Sequence, residues 1–242
     1  MAARTLLAGT SKRPGHGRTD PQLPIRVDLS PGRVRARLTQ AGVPMVRIVG
    51  PPGAGKTALV EASLRRFKGK RRVSVIVVNP AADRDANLLR PLGAGAIPII
   101  AAVPDTAAVA RAVESIDPET VDLILLEACG GITPFPDTGE TAVVAVLGVS
   151  GGDDKAAEYA SLVSRAELVL LTKTDLLAFI RFSSAQFNSD VRRLNPSAPV
   201  LEVSTINTHG LDEWTNWLDN KISAARSRHR DSSACGPELF VG

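Results

Sequence analysis

The stretch Gly50-Pro51-Pro52-Gly53-Ala54-Gly55-Lys56-Thr57 fits the pattern G-x-x-x-x-G-K-[S/T] at every fixed position. An apolar run, Met45–Val49, precedes it, and a helix-length pattern from Thr57 to Phe67 follows. Strand, glycine-rich turn and helix in that order are the setting in which such a loop holds phosphate. Glycines let successive backbone N–H groups turn inward, and the helix N-terminus adds positive potential. Gly50, Gly53, Ala54, Gly55, Lys56, Thr57 and the next residue, Ala58, form the expected phosphate cradle. Lys56 would reach the β- and γ-phosphates, and Thr57 would offer its hydroxyl to Mg2+.

The rest of the chain supplies a scaffold for that loop. Further apolar runs occur at Val73–Val78, Ala96–Ala102, Val121–Leu126, Ala142–Leu147, Leu168–Leu171 and Val200–Val203. Helix-length segments separate most of them. Phe187, Val191 and Leu194 share one helical face, as do Leu211, Trp214, Trp217 and Leu218. This alternation predicts an α/β protein of three layers, with a mostly parallel central sheet in the P-loop NTPase manner. Residues 1–43 are rich in Pro, Gly and Arg and read as a basic, disordered arm with a short helix around Pro31–Ala41. The domain proper is expected at 44–224, and 225–242 as a frayed tail.

Charge and cysteine usage narrow the class. The net charge of +4 sits in the arm: residues 1–40 hold eight Lys/Arg against two acids, leaving the remainder at −2. The arm therefore reads as solvated or partner-touching, not as a nucleic-acid binder. No run approaches the roughly 18 apolar residues of a membrane span. Two distant cysteines, Cys129 and Cys235, give no disulfide framework. A cytoplasmic protein without membrane contact is expected.

Three downstream elements bear on the nucleotide. Thr172-Lys173-Thr174-Asp175 ends an apolar run and matches the [NT]KxD pattern. A carboxylate there can accept from both the ring N–H and the exocyclic amine of guanine, a donor pair adenine lacks. Asp175 would select GTP or GDP, the Lys173 stem would cover the base, and Ser204-Thr205 would lie in a second base-contacting loop. Glu127-Ala-Cys-Gly130 follows the run ending at Leu126; Glu127 can hold a Mg2+-bound water and the Gly130 N–H can sense a γ-phosphate, or the segment is an ordinary strand end. Asn79-Pro-Ala-Ala-Asp83-Arg-Asp85 stands where a switch loop would lie. Asp83 and Asp85 either position Mg2+ and water, joining Lys56 and Glu127 as catalytic residues, or Asp83 caps a helix.

With these residues placed, residues 44–224 resemble the nickel-chaperone GTPases of the SIMIBI class, the hydrogenase-maturation (HypB) and urease-accessory (UreG) proteins. The stretches closest to the hydrogenase type are Gly151-Gly-Asp-Asp-Lys155, Lys173-Thr-Asp-Leu-Leu177, Asp190-Val-Arg-Arg-Leu-Asn-Pro196 and Gly210-Leu-Asp-Glu-Trp-Thr-Asn-Trp217. The resemblance implies a GTP-dependent homodimer that delivers nickel to a metalloenzyme apo-protein or works with a co-chaperone. The chain departs from the family pattern in four places. Pro104-Asp105 stands where Cys-His ligands are usual, and Ile132–Asp137 lacks the family's Cys-Pro. The arm has no clustered cysteines, and Asn79 replaces a switch aspartate. Ni2+ or Zn2+ prefers thiolate or imidazole. Cys129 is the candidate ligand nearest the nucleotide, against ordinary packing; His209 reads as a turn residue, and His16, His229 and Cys235 fall in the tails. The expected function is a GTP-hydrolysing metallochaperone for hydrogenase assembly. The alternatives are a GTP-gated interaction module without metal delivery, and a P-loop ATPase or kinase.

Overall fold

The computed structural model describes residues 28–79, 81–102, 105–130 and 135–234. Each of the seven apolar runs becomes a strand: β1 Met45–Gly50, β2 Val73–Val78, β3 Gly95–Ile99, β4 Leu123–Cys129, β5 Ala142–Gly148, β6 Leu168–Thr172 and β7 Val200–Val203. They form one sheet in the order β3-β2-β4-β1-β5-β6-β7, and every pairing is parallel. The expected mostly parallel sheet is thus wholly parallel. Strands β1, β2, β5 and β6 are buried along their whole length, as a sheet covered on both faces requires.

Helices complete the layers: α1 Pro31–Ala41, α2 Lys56–Phe67, α3 Ala82–Leu89, α4 Thr106–Glu114, the single turns α5 Lys155–Glu158 and α6 Ala160–Val163, α7 Ser184–Leu194 and α8 Leu211–Ala234. On one face α2, α3 and α8 pack together through Leu59, Ala86, Trp214 and Leu218. Trp214 Nε1 donates to Ser63 Oγ at 2.8 Å, tying α8 to the helix that starts at the phosphate loop. The other face carries α1 and α4 over β1, β2 and β4, and α5 to α7 over β5 and β6. Phe187 and Val191 of α7 are buried as their spacing predicts.

Two boundaries differ from the sequence expectation. Helix α1 is where it was expected, yet it belongs to the domain and not to an arm, because Val34 and Leu38 are buried against β1 and α4. Ser30 caps it, and Gly42 closes it in the left-handed region. At the other end α8 runs ten residues past 224, to Ala234, because Ala225 is still buried and Arg226 pairs with Asp122 at 2.7 Å. Residues 1–27 and 235–242, with His16 and Cys235, lie outside the described residues.

One buried side chain has no counterpart in the sequence reading. Arg47, in the middle of β1, is fully buried; it donates to Pro136 O at 2.8 Å and meets Glu140 at 3.3 Å. Phe135 lies between its guanidinium, 4.0 Å from the ring centroid, and that of Arg165 at 4.3 Å. The segment leading into β5 is thereby fastened to the central strand.

Candidate functional site

The phosphate loop leaves the carboxyl end of β1, flanked by β4 and β5, where a parallel sheet reverses its direction of winding. Gly50 must be glycine: a Cβ there would stand 2.0 Å from Val146 O on β5. Gly55, at φ +87°, turns the chain into α2. The Lys56 ammonium is folded over the loop, donating to Gly50 O at 3.0 Å and Pro51 O at 2.9 Å. Backbone carbonyls thus hold the charge that would meet a phosphate. Ala58 lies exposed in the first turn of α2.

Thr57 and Glu127 meet across the end of β4. Thr57 Oγ1 donates to Glu127 Oε1 at 2.5 Å, and Glu127 is 2% exposed. Burial pushes the Glu127 carboxyl above its ordinary range, Thr57 and Lys56 pull it down, and the charge of Asp85 pushes it up again. Glu127 Oε2 is buried and has no partner among the described residues. A hydroxyl beside an unpartnered carboxylate oxygen is the donor chemistry a hard divalent cation takes, so these residues fit Mg2+. Gly130 N–H donates to Gly50 O at 3.2 Å, which joins the end of β4 to the start of the loop.

The acidic segment after β2 is arranged differently from expectation. Helix α3 begins at Ala82, so Asp83 lies inside its first turn, exposed, and caps nothing. Asn79 shapes the turn instead: its side-chain oxygen accepts from Ala81 N at 2.7 Å and its amide donates to Asp85 Oδ2 at 2.8 Å. Asp85 therefore faces the site, and Asp83 does not join it.

At the base end, Thr172 Oγ1 donates to Ala54 O at 2.6 Å, a bond that pins the phosphate loop to β6. Lys173, at φ +61°, lays its stem beside Gly55 and Gly148. Asp175 accepts from Ser204 Oγ at 2.5 Å, and the same oxygen of Ser204 accepts from Ile206 N and Asn207 N. Ser204 thus orients Asp175, while Thr205 is half-buried in the same turn. A cleft of about 430 Å3 runs beside the loop, lined among others by Gly53, Gly148, Gly151, Lys155, Tyr159 and Lys173. Gly148 and Tyr159 were not among the expected site residues. Gly148 had a signal in hindsight: a glycine ending an apolar run, directly beside the Ala54 backbone of the phosphate loop.

For a transition metal the residues converge less. Cys129 is a half-buried free thiol at the end of β4. Among the described residues no three His, Cys, Asp or Glu side chains come together to hold an ion. Asp105, in the place where Cys-His was looked for, caps α4 by accepting from Ala107 N and Ala108 N. His209 is an exposed turn residue whose carbonyl accepts from Ser204 N.

A phosphate loop, a hydroxyl–carboxylate pair that fits Mg2+ and the Thr172–Asp175 strand end converge at the carboxyl edge of a parallel sheet, the design of P-loop nucleoside triphosphatases. Comparison with known proteins narrows the class. The family model described as CobW/HypB/UreG, nucleotide-binding domain, matches residues 44–202, and the chain belongs to that family. Hydrogenase maturation factor HypB of Rhizobium leguminosarum bv. viciae is 32% identical over 205 residues, covering 83% of this chain and 68% of that protein. HypB of Azotobacter vinelandii is 31% identical over 192 residues, covering 77% and 63%. HypB of Escherichia coli K12 is 30% identical over 197 residues, covering 79% and 68%. The chain thus spans about two thirds of the length of these relatives. Two solved structures share the fold. HypB from Archaeoglobus fulgidus superposes with a TM-score of 0.73 at 23% identity, covering 79% of this chain and 96% of that one. HypB from Helicobacter pylori in complex with nickel gives 0.74 at 24% identity, covering 80% and 94%. Among the described residues no helix is long and apolar enough to cross a membrane.

Proposed function

We propose that this chain binds and hydrolyses GTP and works in the maturation of a nickel hydrogenase, with hydrolysis resetting its interaction with a partner. The observation that carries the nucleotide half is the buried Thr57–Glu127 pair, with Glu127 Oε2 unpartnered beside the Lys56 loop. The role in maturation rests on membership of the family and on the HypB relatives.

The residues divide the work by position. Lys56 exchanges the carbonyls of Gly50 and Pro51 for phosphate oxygens, an exchange between two fixed acceptor sets that needs little rearrangement. Thr57 and Glu127 hold Mg2+, which when bound neutralises charge on the phosphates. Asp175, oriented by Ser204, accepts from the guanine edge, and Lys173 covers the base. Gly130 N–H turns from Gly50 O toward a γ-phosphate, coupling nucleotide state to the segment after β4. Asn79 is an amide and cannot act as an anionic base; Asp85, hydrogen-bonded to it, supplies the carboxylate nearest the site after β2. Turnover is slow on this account, and the GTP-bound form is a homodimer.

Nickel or zinc enters as cargo. A second reading, a GTP-gated interaction module whose metal is carried by a partner, draws support from Asp105 serving as a helix cap where ligands were looked for. A calorimetric titration of Ni2+ and Zn2+, with and without a non-hydrolysable GTP analogue, separates the two. Stoichiometric metal binding that strengthens with analogue supports delivery, and Cys129→Ser should then weaken it. Tight analogue binding without metal binding supports the module. Failure to bind the analogue overturns both.

A further inference from the structure

A cavity of about 680 Å3, larger than the cleft beside the phosphate loop, opens where β2, β3 and β4 begin. One strand length, about 20 Å for the six residues of β2, separates it from the nucleotide end. Its floor is apolar: Leu64, Phe67, Val73 and Val121 line it and are themselves buried. Its lip is cationic, with Lys68, Lys70, Arg71 and Arg72 against one carboxylate, Asp122.

The charges on that lip are unequal. Arg72 and Arg226 both reach Asp122, at 2.8 and 2.7 Å, and Arg71 pairs with Asp219 at 2.7 Å. Lys68 and Lys70 are exposed and have no ion-pair partner among the described residues. Inside the cavity, Ser74 is 6% exposed, and its hydroxyl has no hydrogen bond among the described residues. Gly69 and Gly93 stand on the walls with nothing within 4 Å of where a Cβ would point, so the mouth is open between them.

Apolar floor, unpartnered hydroxyl and outward-facing free ammonium groups together describe a ligand with both an apolar anchor and carboxylates. We propose that this cavity docks an acidic segment of a partner protein, one apolar side chain seated on the apolar floor and its acids on Lys68 and Lys70. The lining favours a peptide over nucleic acid here. The apolar floor takes a side chain that a sugar-phosphate chain lacks, and the exposed lip carries no aromatic ring on which a base could stack. Docking at this pole leaves the nucleotide edge free, so one partner can be held through the whole GTP cycle. The proposal does not depend on the nucleotide reading.

The test is selection from a random-peptide display library on the full chain, followed by chemical-shift mapping of the enriched peptides. The expected winners are acidic with an apolar anchor, perturb residues 64–74 and 91–95, and bind equally with or without GTP analogue. The double variant Lys68→Glu/Lys70→Glu should lose about ten-fold in affinity while its affinity for the analogue stays unchanged. Enrichment of neutral or basic peptides, shifts confined to the nucleotide edge, or unchanged affinity in the double variant would each overturn the proposal. So would an oligonucleotide or polyphosphate that displaces the peptide from the same residues, which would make this a polyanion site. A chain ending at Ala234 that binds the peptides ten-fold more tightly would make residues 235–242 the native occupant instead.

Discussion

Glu127 carries its charge where burial opposes it, and that conflict gives a pH dependence of definite sign. Its carboxyl is raised above the ordinary value in the folded chain, so the metal-free protein favours the protonated form relative to the unfolded chain. The corresponding stability is full below the ordinary carboxylate pKa near 4.3 and is lost as pH rises through the raised value. Mg2+ takes the deprotonated form, so Mg2+-dependent GTP affinity should weaken as pH falls through that same value. Glu127→Gln separates the effects: it should raise the melting temperature of the nucleotide-free chain at neutral pH and cut turnover roughly 100-fold. A variant with unchanged turnover would remove Glu127 from the site. Asp175→Asn offers an amide where guanine needs an acceptor for two donors, and should narrow the GTP-over-ATP preference by about 100-fold in competition binding. At this scale the sequence placed Lys56 and Thr57 after β1, Glu127 near the end of β4 and Asp175 after β6, because their spacing from strand ends is fixed. It misjudged Asp83, because one residue of uncertainty in a helix start turns a side chain from the site to solvent.

Elements are joined here by a few polar bonds, and two of these joints can be tested. The Thr172 hydroxyl ties the phosphate loop to β6 through Ala54 O. Thr172→Val keeps the shape and leaves Ala54 O without its donor; nucleotide affinity should fall about ten-fold and stability by about 1–3 kcal/mol, and equal affinity would mean the two halves of the site are set independently. The second joint is Arg47 with Glu140. Glu140→Gln leaves a buried guanidinium without its counter-charge and should cost about 3–5 kcal/mol in denaturant unfolding, whereas the double variant Arg47→Met/Glu140→Gln, which removes both charges, should cost far less. Equal losses would show that packing on Phe135, not charge, fixes this segment. Neither joint was legible in advance. The seven apolar runs announced the strands because both faces of the sheet are buried, but a lone arginine in Met45-Val-Arg47-Ile-Val49 carries no sign of which loop will fold over it.

The described residues are closed at both ends by helices that the sequence reading placed in a tail, all of α1 and the last ten residues of α8. Arg-rich α1 reads as polar because only Val34 and Leu38 face inward, yet both are buried over β1 and α4. The same helix touches the segment after β4: Arg35 pairs with Asp137 at 2.9 Å, and a Cβ on Gly139 would press within 2.7 Å of Val34. That segment follows Gly130, which we propose meets the γ-phosphate and which here donates to Gly50 O at the start of the phosphate loop. Two truncations discriminate what α1 does. A chain beginning at residue 28 keeps the whole of α1 and serves as the reference. A chain beginning at residue 44 uncovers Leu38 and Val34 and should lose at least about 3 kcal/mol, the scale of deleting buried aliphatic side chains. If α1 also steadies the loop after β4, the double variant Arg35→Ala/Asp137→Ala, which spares the buried pair, should alter GTP turnover with stability changed by less than about 1 kcal/mol. Unchanged turnover in that variant would leave α1 a cover for the core and nothing more.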